Sequence, residues 1–184
     1  MCGRVAARVL LLYSVCMAIF FTSDQHFGDD RIRRYENRPF ESVQAMDESL
    51  VSAWNNTVAA DDRVFVLGDF ALYDEEHIAG LCARLNGTKY LIKGNHDVLA
   101  NDVYRRCGFA EVYDYPILFE QFWLLSHEPL YINSNMPYAN IFGHVHGSPA
   151  YVTASRQSFC VCVERTGYAP VPFDAVRNAV GAAC

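Results

Sequence analysis

Five strand-like runs in this chain end in the same way, with an abrupt change from hydrophobic residues to aspartate, asparagine or histidine. The polar residues at these ends are DQH (24–26), GD (68–69), GNHD (94–97), His127 and GHVH (143–146). In an open α/β sheet the carboxyl ends of the strands share one edge, and ligands bind there. We therefore expect these side chains, which are far apart in sequence, to converge on one site.

The residue types at these strand ends suit divalent metal ions. Carboxylate, imidazole and amide oxygen together favour Mn, Fe, Zn, Co or Ni over calcium. Asp24 and His26 lie two residues apart, and the GHVH motif repeats that spacing, so both members of each pair can point to one side as the strand ends. A single motif has an ordinary explanation, such as a turn or a helix cap for Gly68-Asp69. All five together, in this order, predict a metal site.

The apolar patterns predict an α/β fold. Strand-like runs at 18–23, 63–68 and 89–94 alternate with helix-like segments that begin at Pro39 and span 74–85 and 97–106. This order predicts a parallel sheet with right-handed crossovers. The second half is α+β-like, with strand-like segments on short connections and a helix over 173–183, so more antiparallel pairing is expected there. The predicted architecture is two mixed β-sheets packed as a sandwich and flanked by helices.

Composition and charge limit the classes of function. The 184 residues suit one domain, and 52% hydrophobic with 20% charged residues is typical of a soluble globular protein. The net charge of −6 provides no basic footprint for nucleic acid, so no stable nucleic-acid complex is expected. A small phosphorylated substrate remains compatible, because bound metal ions change the local field. The oligomeric state is left open between monomer and homodimer.

The N-terminus carries a hydrophobic run, residues 9–21, after Arg4 and Arg8. Its length fits the core of a signal peptide and is too short for a membrane span. Cleavage at Cys16 would leave too short a core, and cleavage further along would destroy the first predicted strand. We expect 1–16 to be an extension of no clear function, or a start assigned upstream of Met17, with the domain spanning 17–184; secretion is the alternative.

The seven cysteines show no CxxC or zinc-ribbon spacing. Free and mostly buried thiols are favoured over a disulfide or metal ligation. This usage predicts a reducing compartment and therefore a cytoplasmic protein. No membrane association is expected, because the hydrophobic run 9–21 is too short to span a bilayer.

The five motifs, in this order, resemble the signature of the calcineurin-like metallophosphoesterase superfamily, which runs D-x-H, GD, GNH(D/E), a lone H and GHxH. The resemblance covers about Met17 to Glu164. The stretch FTSDQHFGDDRI, with NRPF following, is most similar to the small, cap-less bacterial and phage-type phosphohydrolases.

The resemblance implies a role for each motif residue. The first metal ion would be held by Asp24, His26 and His146. The second would be held by Asn95, His127 and His144, with Asp69 bridging both. His96 would contact the substrate and protonate the leaving group without binding metal, and Asp97 would orient His96.

The resemblance also implies an enzyme that hydrolyses a phosphate ester with a hydroxide bridging two divalent ions. Mn²⁺ is the favoured metal, with Fe, Zn, Ni and Co as alternatives, and the substrate would be a small phosphodiester or phosphomonoester such as a nucleotide. Asn95 and His96 are predicted to bind substrate, as is Arg38 from a basic stretch that either faces the phosphate or is simply solvated. The alternatives are a nuclease, weakened by the acidic balance, and a non-catalytic protein-binding scaffold, which His96 disfavours.

Overall fold

The computed structural model describes residues 17–133, 135–149 and 155–181. The predicted extension, 1–16, lies outside the described residues. The strands within them are β1 (Ile19–Thr22), β2 (Arg63–Val66), β3 (Thr88–Ile92), β4 (Phe109–Tyr113), β5 (Ile117–Phe119), β6 (Trp123–Ser126), β7 (Ala139–Phe142), β8 (Ser158–Cys160) and β9 (Val171–Pro172). The α-helices are α1 (Asp30–Tyr35), α2 (Val43–Thr57), α3 (Glu75–Arg84), α4 (Asn101–Arg106) and α5 (Phe173–Val180). A short 3₁₀ helix spans Val163–Arg165.

The first sheet has five strands in the order β4-β3-β2-β1-β9. β1, β2, β3 and β4 pair in parallel, and β9 joins β1 antiparallel at the edge. Phe21 lies opposite Phe65, and Phe65 lies opposite Tyr90, so the three strands end at a common edge. The β-α-β-α-β opening predicted from the sequence is confirmed.

The second sheet has four strands in the order β5-β6-β7-β8. β5 and β6 pair antiparallel, whereas β6–β7 and β7–β8 are parallel. The antiparallel pairs, β5 with β6 and β9 with β1, both involve strands of the second half, as expected, although two other pairings of this half are parallel. Parallel strands need a connection of a dozen or more residues, and the segments 127–138 and 143–157 meet that length.

The first sheet is the middle layer, because both of its faces are buried. Val64 and Val66 of β2 pack with Trp54 and other side chains of the helices α2, α3 and α4. Phe65, between them, points to the opposite face, where its ring lies 5.0 Å from that of Phe119 in the second sheet. Successive side chains of a strand alternate between faces, so each strand supplies two cores. The predicted sandwich of two mixed sheets flanked by helices is confirmed.

Helix boundaries follow from capping side chains. α2 begins at Val43 because the Ser42 hydroxyl accepts a hydrogen bond from the Ala45 amide, so the predicted start at Pro39 is too early. α3 is capped in the same way by Asp74, and its first turn is acidic, as predicted. α4 begins at Asn101 rather than at Asp97, whose carboxylate is engaged elsewhere.

Four cysteines of the described residues are free: Cys82, Cys107, Cys160 and Cys162. Three of them are buried, in agreement with the expected buried thiols. Within the described residues, no helix has both the length and the apolar character needed to cross a bilayer.

Candidate metal centre

The motif residues all follow the carboxyl ends of strands that pair in parallel. The first sheet contributes the residues after β1, β2 and β3, and the second sheet contributes those after β6 and β7. The side chains brought together are Asp24, His26, Asp69, Asn95, His96, His127, His144 and His146. The predicted convergence on one edge is therefore present in the structure.

The first ligand set consists of Asp24, His26 and His146, whose ligand atoms all lie within 4.8 Å of one another. Asp24 Oδ1 is 3.7 Å from His146 Nε2. Asp24 Oδ1 and His26 Nε2 are both buried and have no hydrogen-bond partner among the described residues. Buried polar atoms are costly without a partner, and two such atoms aimed at one point fit a metal ion.

The second ligand set consists of Asp69, His127 and His144, again with ligand atoms within 4.8 Å of one another. His127 Nε2 lies 3.0 Å from the amide oxygen of Asn95 and 3.0 Å from His144 Nδ1. Nitrogen and oxygen donors grouped in this way suit a second borderline divalent cation.

Asp69 lies between the two sets. Its Oδ2 atom is 3.4 Å from His26 Nε2 and 3.4 Å from His127 Nε2. One carboxylate is therefore placed at equal distance from a ligand atom of each set. This is the position that a bridging ligand needs.

The electrostatics of the site favour a charged carboxylate beside a neutral imidazole. Burial lowers the pKa of His26 to about 4, so its ring is neutral and Nε2 keeps a lone pair. Burial alone would raise the pKa of Asp69, but the hydrogen bond and the charge of His127 lower it to about 2. Burial likewise opposes charge on His127, yet Asp69 and Asp24 raise the pKa of that ring to about 9. A charged carboxylate and a neutral imidazole thus face the centre before any cation arrives.

The backbone of this edge has unusual conformations. Five ligand residues have left-handed φ angles of 61°, 51°, 55°, 70° and 47°, in the order Asp24, His26, Asp69, His144 and His146. Gly68 also has a positive φ, 86°, and a Cβ atom there would collide with the His127 ring. A Cβ at Gly94 would overlap Asp69, so glycine is required where the two motif loops touch.

Two histidines of the centre are oriented by atoms behind them. His127 donates from Nδ1 to the Leu67 carbonyl at 2.9 Å, which leaves Nε2 facing the ligand cluster. His146 donates from Nδ1 to the Glu164 carboxylate at 3.0 Å. Glu164 is not among the predicted site residues, although it ends the apolar run SFCVCV and so has the same signal as the other motifs.

Arg38 does not occupy the position predicted for a substrate contact. Its side chain is fully buried. Nε donates to Glu164 at 2.9 Å, and the two terminal nitrogens donate to the carbonyls of Asp24 and Gln25, each at 2.7 Å. The guanidinium therefore supports the loop that carries the first ligand set and the carboxylate behind His146. The expectation that Arg38 binds substrate is corrected accordingly.

His96 is exposed beside the first ligand set. Its ring lies 5.1 Å from that of His26, and its backbone amide donates to Asp69 Oδ1 at 2.9 Å. An exposed imidazole at the mouth of the ligand cluster is placed to meet an incoming substrate. Asn95 is also exposed, with its amide oxygen turned toward His127.

Asp97 does not orient the His96 ring. Its carboxylate accepts hydrogen bonds from the backbone amides of Asp69, Phe70 and Gly94 at 2.7, 3.1 and 2.9 Å, and no hydrogen bond joins it to the His96 ring in the described residues. Burial raises the pKa of Asp97 to about 6, against the opposing effect of these amides. Asp97 instead ties the GD loop to the GNHD loop, and the predicted role is corrected.

Two ligand sets that share a carboxylate, at the edge of a two-sheet sandwich, define a dinuclear metal-dependent hydrolase. The chain belongs to the calcineurin-like phosphoesterase family, whose model matches residues 17–164. Members of this family are metal-dependent phosphoesterases, and the protein is an enzyme of this class.

The chain is also similar to individual known proteins. An uncharacterized protein of Methanocaldococcus jannaschii is 31% identical over 164 residues, which cover 86% of this chain and 88% of that protein. The gene 66 protein of Mycobacterium phage L5 is 37% identical over 81 residues, or 42% of this chain and 39% of that protein. A solved structure of a protein of unknown function from Aquifex aeolicus has the same fold, with a TM-score of 0.70 at 21% identity, covering 89% of this chain and 99% of that one.

Proposed function

We propose that the protein hydrolyses a small phosphodiester or phosphomonoester, with nucleotides among the candidate substrates, in a reaction that depends on two divalent metal ions. The observation that carries this proposal is the position of Asp69 Oδ2, 3.4 Å from an imidazole nitrogen of each ligand set. The first ion would be held by Asp24, His26 and His146, and the second by Asn95, His127 and His144. Mn²⁺ is the first metal to test, followed by Fe, Zn, Ni and Co.

When bound, the two ions supply an activated water molecule and neutralise charge on the phosphate. The protein's own side chains then account for orientation and proton transfer. His96 is exposed at the mouth, so it can hydrogen-bond the phosphate and give its proton to the leaving oxygen. Its backbone amide is fixed by the Asp69 carboxylate, which sets the ring relative to both ligand sets.

Two substitutions separate catalysis from metal binding. His96→Asn removes the side chain that would contact the phosphate but no proposed metal ligand, so turnover of bis-p-nitrophenyl phosphate with Mn²⁺ should fall, and by about 10²–10⁴-fold for esters whose poorer leaving groups need its proton. Metal analysis should still find two ions in this variant.

Asp69→Asn removes the shared carboxylate, and both metal content and activity should fall together. A wild-type protein that binds no transition metal, or that hydrolyses neither bis-p-nitrophenyl phosphate nor p-nitrophenyl phosphate, would contradict the proposal.

We further propose that the protein acts in the cytoplasm without a stable nucleic-acid or membrane partner. The free cysteines among the described residues support this location, and the net charge of −6 supports this choice of partners.

A further inference from the structure

Two clefts meet at His96. One has a volume of about 400 Å³ and is lined by Leu72, Tyr73, His77 and Val98 among others; we call it the Val98 cleft. The other has a volume of about 290 Å³ and is lined by His26, Arg31, Ile32 and Tyr35 among others; we call it the Tyr35 cleft. His96 is the residue that lines both, so a phosphate beside His96 would have a cleft available in each of two directions.

The Val98 cleft is suited to an apolar or aromatic group. Val98 is 80% exposed and Leu72 is 43% exposed, although both are hydrophobic. The Tyr73 ring stacks on the His77 ring at 5.4 Å between centroids and 22° between planes, and its hydroxyl is fixed by Asp47 at 2.7 Å. The cleft therefore combines an anchored pair of aromatic rings with exposed aliphatic side chains, a lining of the kind that small-molecule sites use.

The Tyr35 cleft offers a second contact surface with a different character. Tyr35, the last residue of α1, is 80% exposed. The Arg31 side chain is 74% exposed and is held by Asp29, with Nε 3.0 Å from Oδ1. His26 joins this cleft directly to the first ligand set. The Tyr35 ring and the Arg31 guanidinium, which Asp29 holds in place, therefore lie beside the metal centre on the side of α1.

We propose that the natural substrate is a phosphodiester, with one organic substituent in the Val98 cleft and the other in the Tyr35 cleft. This inference rests on the proposed phosphoesterase function. Water would form the new P–O bond and lose a proton to solvent, one ester P–O bond would break, and His96 would give its proton to the departing oxygen and regain one from solvent, which gives an alcohol and a phosphomonoester. A monoester carries a single substituent and would leave one cleft empty.

Three substrates with the same leaving group test the proposal. Bis-p-nitrophenyl phosphate, methyl p-nitrophenyl phosphate and p-nitrophenyl phosphate all release p-nitrophenolate; the first two are monoanionic diesters with a large or a small second substituent, and the third is a dianionic monoester with none. With Mn²⁺ bound, kcat/KM should decrease in that order, by about tenfold from the first to the second because one apolar contact surface is lost. Equal or faster hydrolysis of the monoester would overturn the diester assignment and leave the phosphoesterase function intact. Failure to hydrolyse any of the three would count against the proposed function itself.

Matched surface variants test the two clefts. Tyr35→Ala should raise KM for bis-p-nitrophenyl phosphate about tenfold, whereas Tyr115→Ala, at an equally exposed tyrosine outside both clefts, should not. The double substitution Leu72→Ala with Val98→Ala should have a similar effect, with Leu118→Ala as its control.

Inorganic phosphate provides a second readout, because it has no substituent to fill either cleft. Its inhibition constant should be unchanged in all of these variants. Unchanged KM values in the cleft variants, or an equal loss of phosphate inhibition, would show that the clefts do not hold the ester groups.

Discussion

At the residue scale, the backbone is strained at the residues that carry the ligand atoms. The ligand residues with left-handed φ angles are Asp24, His26, Asp69, His144 and His146. A residue other than glycine in this conformation costs about 1–3 kcal/mol and persists only where the surrounding structure enforces it. Backbone hydrogen bonds provide that enforcement, since Asp24 N donates to the Gly68 carbonyl and His26 N to the Asp69 carbonyl, both at 3.0 Å. The strain turns each side chain out of its strand and into the cluster.

This strain predicts that, at a ligand position, a glycine variant is more stable than an alanine variant, which is the reverse of the usual order. In metal-free protein, His144→Gly should be more stable than His144→Ala by about 1 kcal/mol, because only alanine keeps a Cβ in the left-handed region. His96 is exposed as well but has no positive φ, so there glycine should be less stable than alanine by about 0.4–1 kcal/mol. Chemical denaturation of the four variants in a chelator measures both differences. The same ranking at both positions would contradict the account.

Glu164 is the residue-scale feature that connects Arg38 to His146. Burial would raise the pKa of Glu164, but the hydrogen bond from His146 and the charge of Arg38 lower it, so the carboxylate stays ionised. It can then accept the Nδ1 proton of His146 and keep Nε2 free for a metal ion.

Replacing this carboxylate should weaken one ion and spare the other. Glu164→Gln removes the charge behind His146 with little change of shape, so the affinity of the first ligand set should fall about 10–100-fold. Titration calorimetry with Mn²⁺ should resolve one weakened and one unchanged site. Glu120→Gln is the control, because Glu120 pairs with Arg177 on the surface. Two unchanged sites would exclude a positioning role for Glu164.

At the element scale, the helices that bury an apolar face were predictable and α1 was not. α2 buries Met46, Leu50, Val51 and Trp54 at helical spacing, and this periodic pattern is visible in the sequence. α1 has six residues and buries none of them, so it leaves no periodic signal among its arginines. The sequence alone does not identify Asp29 as the N-cap of α1. The structure does, because the Arg31 amide donates to the Asp29 carboxylate.

The loops after β2 and β3 depend on Asp97, which gives a prediction for these elements. In Asp97→Asn, one of the two acceptor oxygens becomes an NH₂ group that faces backbone N–H donors, so at least one amide of Asp69, Phe70 or Gly94 loses its partner. The variant should unfold more easily by about 1–3 kcal/mol at pH 8. Asp102→Asn, at an 81% exposed side chain, is the control and should change little. Urea denaturation measures both, and equal stabilities would contradict this role.

At the scale of the whole molecule, the sequence predicted the location of the site better than its supporting contacts. The ligands could be predicted because parallel strands end at a shared edge, whatever the details of packing. The contact between Arg38 and Glu164 joins residues that are 126 positions apart. Such a contact depends on the final packing, and no spacing of residues in the sequence predicts it. The same reason explains why Asp97 was assigned to its neighbour His96 rather than to the loop after β2.

Metal binding should stabilise the whole fold. Each ion that binds the native state alone adds about 2.7 kcal/mol at one hundred times its Kd, and each occupied site therefore corresponds to a rise in Tm of about 5–10 °C for a chain of this size. Thermal unfolding with Mn²⁺ and with a chelator measures the shift. The double substitution His144→Ala with His146→Ala should abolish it, and a wild-type Tm that is indifferent to Mn²⁺ would contradict the two-ion site.

Each ligand set draws on both sheets of the sandwich. The first combines residues after β1 with His146 after β7, and the second combines Asn95 after β3 with His127 and His144 after β6 and β7. An ion in either position would therefore add a link between two layers that also meet through apolar side chains and through hydrogen bonds such as that from His127 Nδ1 to the Leu67 carbonyl. Removal of the ions by a chelator would then weaken the contact between the two sheets as well as abolish activity. Amide hydrogen exchange would become faster in β1 and β7 together.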